Sequence, residues 1–128
     1  MLLETKKVSK AFGGLMANNE IDFGINEGEI VAIIGPNGSG KTTFYNLLTG
    51  ISPATSGSIT FKGKDITRCK PEEITKMGIS RTFQNIRLFG DLTVAENIII
   101  ARHCRRQTGM LDALLNTRRA KEEEAENQ

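Results

Sequence analysis

Hydrophobic and polar residues divide the first part of the chain into short stretches that predict β-strands. Residues 2–8 predict a first strand, and the polar, glycine-rich residues 9–14 predict a connection after it. In residues 21–25, Ile, Phe and Ile alternate with Asp and Gly, which indicates a half-buried second strand. Residues 58–61 alternate again and end before Gly63. Strands in this order favour an antiparallel layer.

Residues 29–34 show a different pattern, because residues 30–34 are hydrophobic at every position. Such a run predicts a short strand that is buried on both faces. A glycine-rich loop follows it. Residues 43–49 then carry apolar side chains at helical spacing, and Gly50 predicts the end of this first helix.

A second, short helix is predicted to begin at Pro71, which suits the first helical position. Acidic residues follow in its positively polarised first turn, and Gly78 closes it. Residues 79–83 predict another strand, which leads directly into Gln84.

The last predicted elements are helical. Thr93 and Glu96 fit a capping box, which opens an amphipathic helix that runs to about His103. A second helical stretch begins near Leu111 and ends in the charged residues 118–124, which predict a solvated tail.

Composition narrows the classes of protein that the chain fits. Its 128 residues suit one ordinary domain with a core of its own. The net charge of +2 and the dispersed basic residues give no argument for nucleic acid. Cys69 and Cys104 lie far apart, which favours reduced thiols in a cytosolic protein. No signal-peptide pattern or bilayer-length apolar run occurs, so a membrane role would require a partner.

The loop at residues 35–42, Gly-Pro-Asn-Gly-Ser-Gly-Lys-Thr, fits the phosphate-binding pattern G-x-x-x-x-G-K-[ST]. Gly38 and Gly40 permit backbone conformations and close approaches that a Cβ atom would block. Backbone N–H groups can then converge on phosphate oxygens at a helix N-terminus. Lys41 brings a positive charge to the β- and γ-phosphates, and the Thr42 hydroxyl can bind Mg²⁺. The flanking strand and helix favour this interpretation over a chance match in a glycine-rich turn.

The order of these motifs resembles the ATP-binding subunits of ABC transporters. The resemblance rests on Phe12-Gly13-Gly14-Leu15-Met16-Ala17, on the phosphate loop, and on Arg81-Thr82-Phe83-Gln84-Asn85-Ile86-Arg87-Leu88-Phe89. It extends to about His103, and the first and last of these stretches are similar to the branched-chain amino-acid importer branch. The fold that it implies is an α/β P-loop NTPase core with an antiparallel β layer and the start of a helical subdomain.

The resemblance also implies roles for particular residues. Phe12 matches the aromatic residue that stacks on adenine, although a core aromatic is the alternative. Gln84 matches the glutamine that reaches Mg²⁺ or the attacking water, although a plain loop residue is the alternative. ATP and Mg²⁺ are the implied cofactors, Lys41 and Gln84 the catalytic candidates, and Thr42 and Gln84 the metal candidates. The nucleotide-binding candidates are Phe12, Gly35, Asn37, Gly38, Ser39, Gly40, Lys41, Thr42 and Thr43.

The chain departs from the family pattern after its helical region. The signature motif, the catalytic glutamate and the switch histidine of the family would all lie further along than Gln128. We therefore expect an N-terminal half, with residues 1–92 as a partial nucleotide-binding core and residues 93–128 as the start of the helical subdomain. Without the glutamate-bearing strand, we expect the chain alone to be inactive as an ATPase.

Three functions compete at this point. The first is the ATP-binding subunit of an ABC importer, with branched-chain amino acids as the expected solutes. It would bind to permease subunits through the region after Gln84. Such a subunit would pair with a second ATP-binding subunit, bind no nucleic acid, and lie in the cytoplasm on the inner face of the cell membrane. The second is a nucleotide-binding module without hydrolytic activity. The third is an unrelated P-loop enzyme, which the antiparallel strands before Gln84 fit poorly.

Overall fold

The computed structural model describes residues 1–83 and 88–102, apart from the side chain of Arg102. The chain divides into two compact units, Met1–Arg81 and Thr82–Gln128. The sequence predictions for Gln84, His103, Cys104, the helical stretch from Leu111 and the charged tail lie outside the described residues. The domain boundary between residues 92 and 93 stays a prediction.

The first unit contains an antiparallel sheet. Its strands are β1 (Leu3–Phe12), β2 (Leu15–Ile25), β3 (Ser56–Phe61) and the two-residue β4 (Lys64–Asp65). They lie in the order β2-β1-β3-β4, so β1 pairs on both sides, with β2 and with β3. The predicted antiparallel layer is therefore confirmed, and sequence patterning missed only the short strand β4 within it.

Strand β1 is longer than its sequence pattern predicts, because polar side chains take over part of its pairing. The prediction of a connection at residues 9–14 was wrong for residues 9–12, and the turn occupies Gly13 and Gly14. The Ser9 hydroxyl accepts a hydrogen bond from the Glu20 N–H at 2.8 Å, and the Ser9 carbonyl accepts one from Thr55 N–H at 2.9 Å. A polar residue can thus continue a strand when its side chain substitutes for a ladder acceptor.

The sheet bends at Lys7, where the pairing register of β1 shifts against both neighbouring strands. Lys7 has a φ of 47°, and its N–H donates to the Asp22 carboxylate at 2.7 Å. A Cβ atom on Gly57 would lie 2.3 Å from the Lys7 carbonyl oxygen, so only glycine fits opposite the bulge. A bulge of this kind re-aims the part of the strand that follows it.

Helices α1 (Lys41–Leu48) and α2 (Pro71–Lys76) complete the first unit and supply half of its core. Phe44 of α1 packs edge-to-face on Phe23 of β2, with ring centroids 5.6 Å apart. At the start of α2 the Glu73 carboxylate accepts a hydrogen bond from the Lys70 N–H at 2.8 Å. The buried core consists of Val8, Phe44, Leu47, Leu48, Ile59, Phe61, Ile66 and Ile74.

Two predicted strands do not form in the described structure. Residues 29–34 and 79–83 have no regular secondary structure. Ile30 is fully exposed and Ile34 is 92% exposed, so the prediction of burial on both faces was wrong. A strand of a parallel sheet requires hydrogen-bonded neighbours and cover on both faces, and the described strands are all engaged in the antiparallel layer. Hydrophobic sequence alone does not supply those neighbours.

The described part of the second unit is organised around helix α3 (Val94–Arg102). The predicted capping box is confirmed: Thr93 N–H donates to the Glu96 carboxylate at 2.7 Å, and Glu96 N–H donates to Thr93 Oγ1 at 3.3 Å. The Thr93 hydroxyl also donates to the Glu96 carboxylate at 2.7 Å, and this bond, together with the one from the Thr93 N–H, holds the pKa of the Glu96 carboxyl below its usual value. Among the described residues, no helix has the length and apolar character needed to cross a membrane.

Candidate phosphate-binding site

The loop between residue 34 and α1 requires glycine at two positions, residues 38 and 40. Gly38 and Gly40 have φ angles of 82° and 86°, in the left-handed region that other residues rarely adopt. A Cβ atom on Gly40 would lie 2.4 Å from the backbone oxygen of Ala17 on β2. A Cβ on Gly35 would lie 2.7 Å from Ser39 Oγ. The loop therefore folds tightly on itself and against β2.

The loop ends at the N-terminus of α1, where backbone donors are in excess. The first hydrogen bond of the helix runs from Phe44 N–H to the Gly40 carbonyl at 2.9 Å. The N–H groups of the preceding Lys41, Thr42 and Thr43 thus have no acceptor within the helix. Gly40 provides no side-chain cap, and the first turn contains no acidic residue. An anion is the ligand that this end of the helix favours.

Lys41 holds its positive charge within the loop. Its ammonium group donates to the carbonyl oxygens of Gly35 at 2.7 Å and Pro36 at 2.6 Å, and lies 3.5 Å from Ser39 Oγ. The sequence shows that Pro36 lacks an N–H group, but it does not reveal that the Pro36 carbonyl helps to anchor the lysine. Loop closure thus holds the charge of Lys41, the first residue of α1, within the loop.

The other loop candidates are accessible to different degrees. Asn37 lies exposed in the turn, the Thr42 side chain is exposed, and Thr43 is half-buried. Within the described residues, no cluster of three or more His, Cys, Asp or Glu side chains could hold a metal ion. A magnesium ion at this site would therefore depend on the Thr42 hydroxyl, phosphate oxygens and water, a set of ligands that Mg²⁺ accepts in nucleotide sites. The residues present fit a magnesium–nucleotide complex.

An open hollow separates the loop from β2. It is lined on one side by strand residues and on the other by the loop and α1. Asn18 is its buried polar residue, and its amide Nδ2 donates to the Gly40 carbonyl at 3.3 Å. Sequence reasoning missed Asn18, because a polar residue in an alternating strand gives no signal of a contact 22 positions further along the chain.

Phe12 lies at the end of β1, outside the buried core, with 52% of its surface exposed. The Lys10 ammonium lies 5.0 Å from the centre of the Phe12 ring and also donates to the Pro53 carbonyl at 2.8 Å. Of the two interpretations that the sequence leaves open, the core aromatic does not fit this exposure. A ring presented in this way can stack on a planar ligand.

Arg81 ends the first unit and contacts α1. Its guanidinium donates a hydrogen bond to the side-chain oxygen of Asn46, which lies in the second turn of that helix. The end of the first unit is thus tied to the helix that begins at the phosphate loop. Asn46 could not be singled out from the sequence, since a single Asn in a helix usually faces solvent.

A glycine loop that closes around a lysine at the start of a helix, next to an antiparallel layer, defines a fragment of the P-loop NTPase fold. The family model of the ABC transporter domain matches residues 18–128 of the chain. The chain belongs to the ABC transporter family of ATP-binding domains.

The chain is similar over nearly all its length to curated branched-chain amino-acid transport proteins. It is 43% identical over 125 residues to the high-affinity branched-chain amino acid transport ATP-binding protein LivG of Salmonella typhimurium, covering 95% of this chain and 49% of the relative. It is 40% identical to the corresponding protein BraF of Pseudomonas aeruginosa over 91% of this chain and 46% of the relative. The chain thus spans about half the length of these relatives.

Solved structures give the same fold. A nucleotide-free ATP-binding cassette from an ABC transporter superposes with a TM-score of 0.72 at 37% identity, covering 91% of this chain and 46% of that one. The ADP conformation of an ATP-binding cassette gives a TM-score of 0.73 at 38% identity over the same shares. The α/β P-loop NTPase core with an antiparallel layer, expected from the sequence, is confirmed.

Proposed function

We propose that this chain is the nucleotide-binding part of an ABC transporter subunit that couples ATP binding and hydrolysis to solute import. The proposed solutes are branched-chain amino acids, and the names of the LivG and BraF relatives support that choice. The observation that carries the proposal is the closed loop, in which the carbonyl oxygens of Gly35 and Pro36 hold the ammonium of Lys41, the first residue of α1.

The loop residues are proposed to bind the phosphates of ATP. Backbone N–H groups from Gly38 to Thr43 would surround the phosphate oxygens, and Lys41 would supply the compensating charge. Each charge-assisted hydrogen bond to phosphate contributes about 1.5–3 kcal/mol. Gly35, Asn37 and Ser39 would shape the loop, and Ser39 Oγ lies 3.5 Å from the Lys41 ammonium.

Three further roles are proposed for residues at the edges of the site. The exposed Phe12 ring would stack on the adenine. The Thr42 hydroxyl, with Gln84, would hold Mg²⁺, which neutralises charge on the β- and γ-phosphates when it is bound. Lys41 and Gln84 would stabilise and position the reacting groups in hydrolysis.

Transmembrane permease subunits and a second ATP-binding subunit are the proposed partners. A dimeric ABC transporter cassette, 29% identical to this chain with a TM-score of 0.71, supports the second partner. The exposed side chains of Ile98, Ile99 and Ile100 on α3 support a contact surface in the region after Gln84. The proposed location is the cytoplasm, on the inner face of the cell membrane.

Nucleotide binding without hydrolysis is the second candidate function. Of the described residues that line the hollow beside the loop, Asp22 carries the only carboxylate. That carboxylate accepts the Lys7 backbone N–H at 2.7 Å, so it is already engaged in the sheet bulge. Phosphoryl transfer needs a group that positions or deprotonates the attacking nucleophile, and the described residues of this hollow offer no free one.

Calorimetric titration of the 128-residue chain with MgATP tests both candidates. We expect Lys41→Ala to weaken binding about tenfold or more, because it removes the charge-assisted bonds. Lys64→Ala on the edge strand β4 is the matched control, and its affinity should equal that of the wild type. Phosphate release measured on the same samples separates the candidates: steady turnover abolished by Lys41→Ala supports hydrolysis, and no turnover supports binding alone. Equal affinity in folded Lys41→Ala would remove the phosphate-loop assignment.

A further inference from the structure

Asn18 is a buried polar side chain at the junction between the antiparallel layer and the phosphate loop. It lies on β2 and is only 6% exposed. Its Nδ2 donates to the Gly40 carbonyl at 3.3 Å, and its Oδ1 has no hydrogen-bond partner among the described residues. Asn18 therefore uses only part of its hydrogen-bonding capacity.

Stability alone does not account for an asparagine at this position. A buried amide oxygen without a partner costs free energy, because it has lost its water and gained nothing in return. Ile21, Phe23 and Phe44 line the same hollow, so the surroundings would accept an apolar side chain. Leucine has the same number of side-chain heavy atoms as asparagine and would leave no side-chain polar atom unsatisfied.

The Asn18 contact acts on the peptide that begins helix α1. The Gly40 carbonyl oxygen accepts both the Asn18 amide and the Phe44 N–H, which is the first hydrogen bond of the helix. The Cα atom of Gly40 also lies so close to β2 that a Cβ would come within 2.4 Å of the Ala17 oxygen. Two independent contacts thus fix the last glycine of the loop against the strand, directly before Lys41.

We propose that Asn18 is a positioning residue of the phosphate loop. By holding the Gly40 carbonyl, Asn18 fixes the direction in which the amides of residues 41–43 point. It also keeps the Lys41 side chain in position within the loop. This inference rests on the proposed nucleotide binding. Asn18 acts through Gly40 and contacts no ligand, so it contributes equally to any ligand that carries the triphosphate, with or without a base.

Asn18→Leu separates positioning from stability. We expect the melting temperature to stay the same or rise, because an unsatisfied buried amide is removed. Affinity for MgATP and for inorganic tripolyphosphate should fall by the same factor, roughly three- to tenfold, as expected for one neutral hydrogen bond. A purely structural role would lower melting temperature and affinity together. Unchanged affinity for both ligands in the folded variant would overturn the proposal.

Asn18→Asp gives a second test that holds even if leucine disturbs the packing. The introduced carboxyl has the shape of the amide but can donate to the Gly40 carbonyl only when it is protonated, and burial raises the pKa of such a group. The ratio of variant to wild-type dissociation constants for MgATP should be largest near pH 8 and approach one near pH 5. Asp22 and Lys41 line the same hollow in the variant and in the wild type, so dividing by the wild type removes their contribution and that of ATP. A ratio that is flat with pH would overturn the proposal.

Lys41→Ala, measured in parallel, shows whether a failure lies in the proposed nucleotide binding or in the proposed role of Asn18. If Lys41→Ala binds MgATP as tightly as the wild type, the proposed nucleotide binding is wrong. If Lys41→Ala binds weakly while Asn18→Leu and Asn18→Asp bind normally at every pH, nucleotide binding stands and only the role of Asn18 is wrong.

Discussion

Two short segments that contain isoleucine differ in whether their hydrophobic side chains are buried. In β3 (Ser56–Phe61), Ile59 is 1% exposed and Phe61 is 8% exposed. In residues 30–34, which lead into the phosphate loop, Ile30 is fully exposed and Ile34 is 92% exposed. The difference lies in neighbours: β3 pairs with β1 and β4, whereas residues 30–34 pair with no strand in the described structure.

The comparison shows that the hydrophobic sequence of a segment does not by itself determine whether its side chains are buried. An alternating strand in an antiparallel layer needs one covered face and a partner that a short connection can deliver. A strand that is apolar at every position needs partners at both edges and cover on both faces. The phosphate loop therefore has one unpartnered end, at residue 34, and one firmly held end, where Gly40 packs on β2 and opens α1.

The largest expected effect comes from truncating one isoleucine in each segment. Ile59→Ala should destabilise the first unit by about 2–5 kcal/mol, because it removes a buried side chain and leaves a cavity. Ile34→Ala is the matched control and should change stability by less than about 0.5 kcal/mol, since its side chain is already in water. Urea unfolding followed by circular dichroism measures both. Similar losses in the two variants would show that residues 30–34 are buried in solution.

Variants of Phe12 test whether the antiparallel layer contributes to nucleotide binding as well as to the core. Phe12→Ala should weaken MgATP and MgGTP binding alike by about 1–3 kcal/mol, as expected for loss of base–aromatic stacking. Phe12→Tyr should bind normally because it keeps the ring. Since Phe12 is half-exposed, neither change should lower the melting temperature much. A lower melting temperature with unchanged affinity would make Phe12 a structural residue.

The exposed segment should also drive self-association. Hydrophobic residues that lack neighbours promote pairing with other chains. We expect the 128-residue chain to form soluble oligomers, and Ile30→Lys with Ile34→Lys to reduce them without loss of stability. Light scattering across a concentration series measures the effect. The control is Lys62→Ala with Lys64→Ala, which changes charge at the opposite edge of the sheet. A clean wild-type monomer would contradict this prediction.

The smallest expected effect is that of pH on helix α3. The apolar residues of α3 are exposed, whereas Ile74 of α2 is 1% exposed. Hydrogen bonds from the Thr93 side chain and backbone lower the pKa of Glu96. A lowered pKa means that the ionised form stabilises the helix, so this contribution is present above the ordinary pKa of glutamate, about 4.3, and is lost as the pH falls below it. Helical circular dichroism should decrease slightly below that pH. The decrease should be smaller in Thr93→Val, and an equal decrease would contradict the capping contribution.

Local sequence signals predicted most of the elements of the described fold. Alternation gave the strands around Phe23 and Ile59, the glycine–lysine motif gave the loop and α1, and Pro71 and Thr93 gave the helix starts. These signals work because each depends on residues within a few positions of one another. The loop motif also identified Lys41, although it did not reveal the carbonyl groups that hold its ammonium.

The parts that the sequence could not predict depend on contacts between distant residues. The failure at residues 30–34 reflects missing neighbours, which no property of the segment itself records. Ser9 continues β1 because its hydroxyl meets the backbone of Glu20, and this pairing depends on the bulge at Lys7. Asn18 reaches Gly40 only in the observed register of β2. Each of these contacts needs the tertiary structure to become visible.

Amide hydrogen exchange with and without MgATP tests most directly the contrast between the paired strands of the first unit and the segment that contains the phosphate loop. Without nucleotide, the amides of β1 and β3 should exchange slowly and those of residues 30–34 rapidly. MgATP should slow exchange in residues 35–43, where backbone N–H groups are proposed to bind phosphate, and leave β3 unchanged. The Lys41→Ala chain should lose this response. If MgATP leaves residues 35–43 unchanged in a chain whose β3 amides are protected, binding of nucleotide by this loop is contradicted.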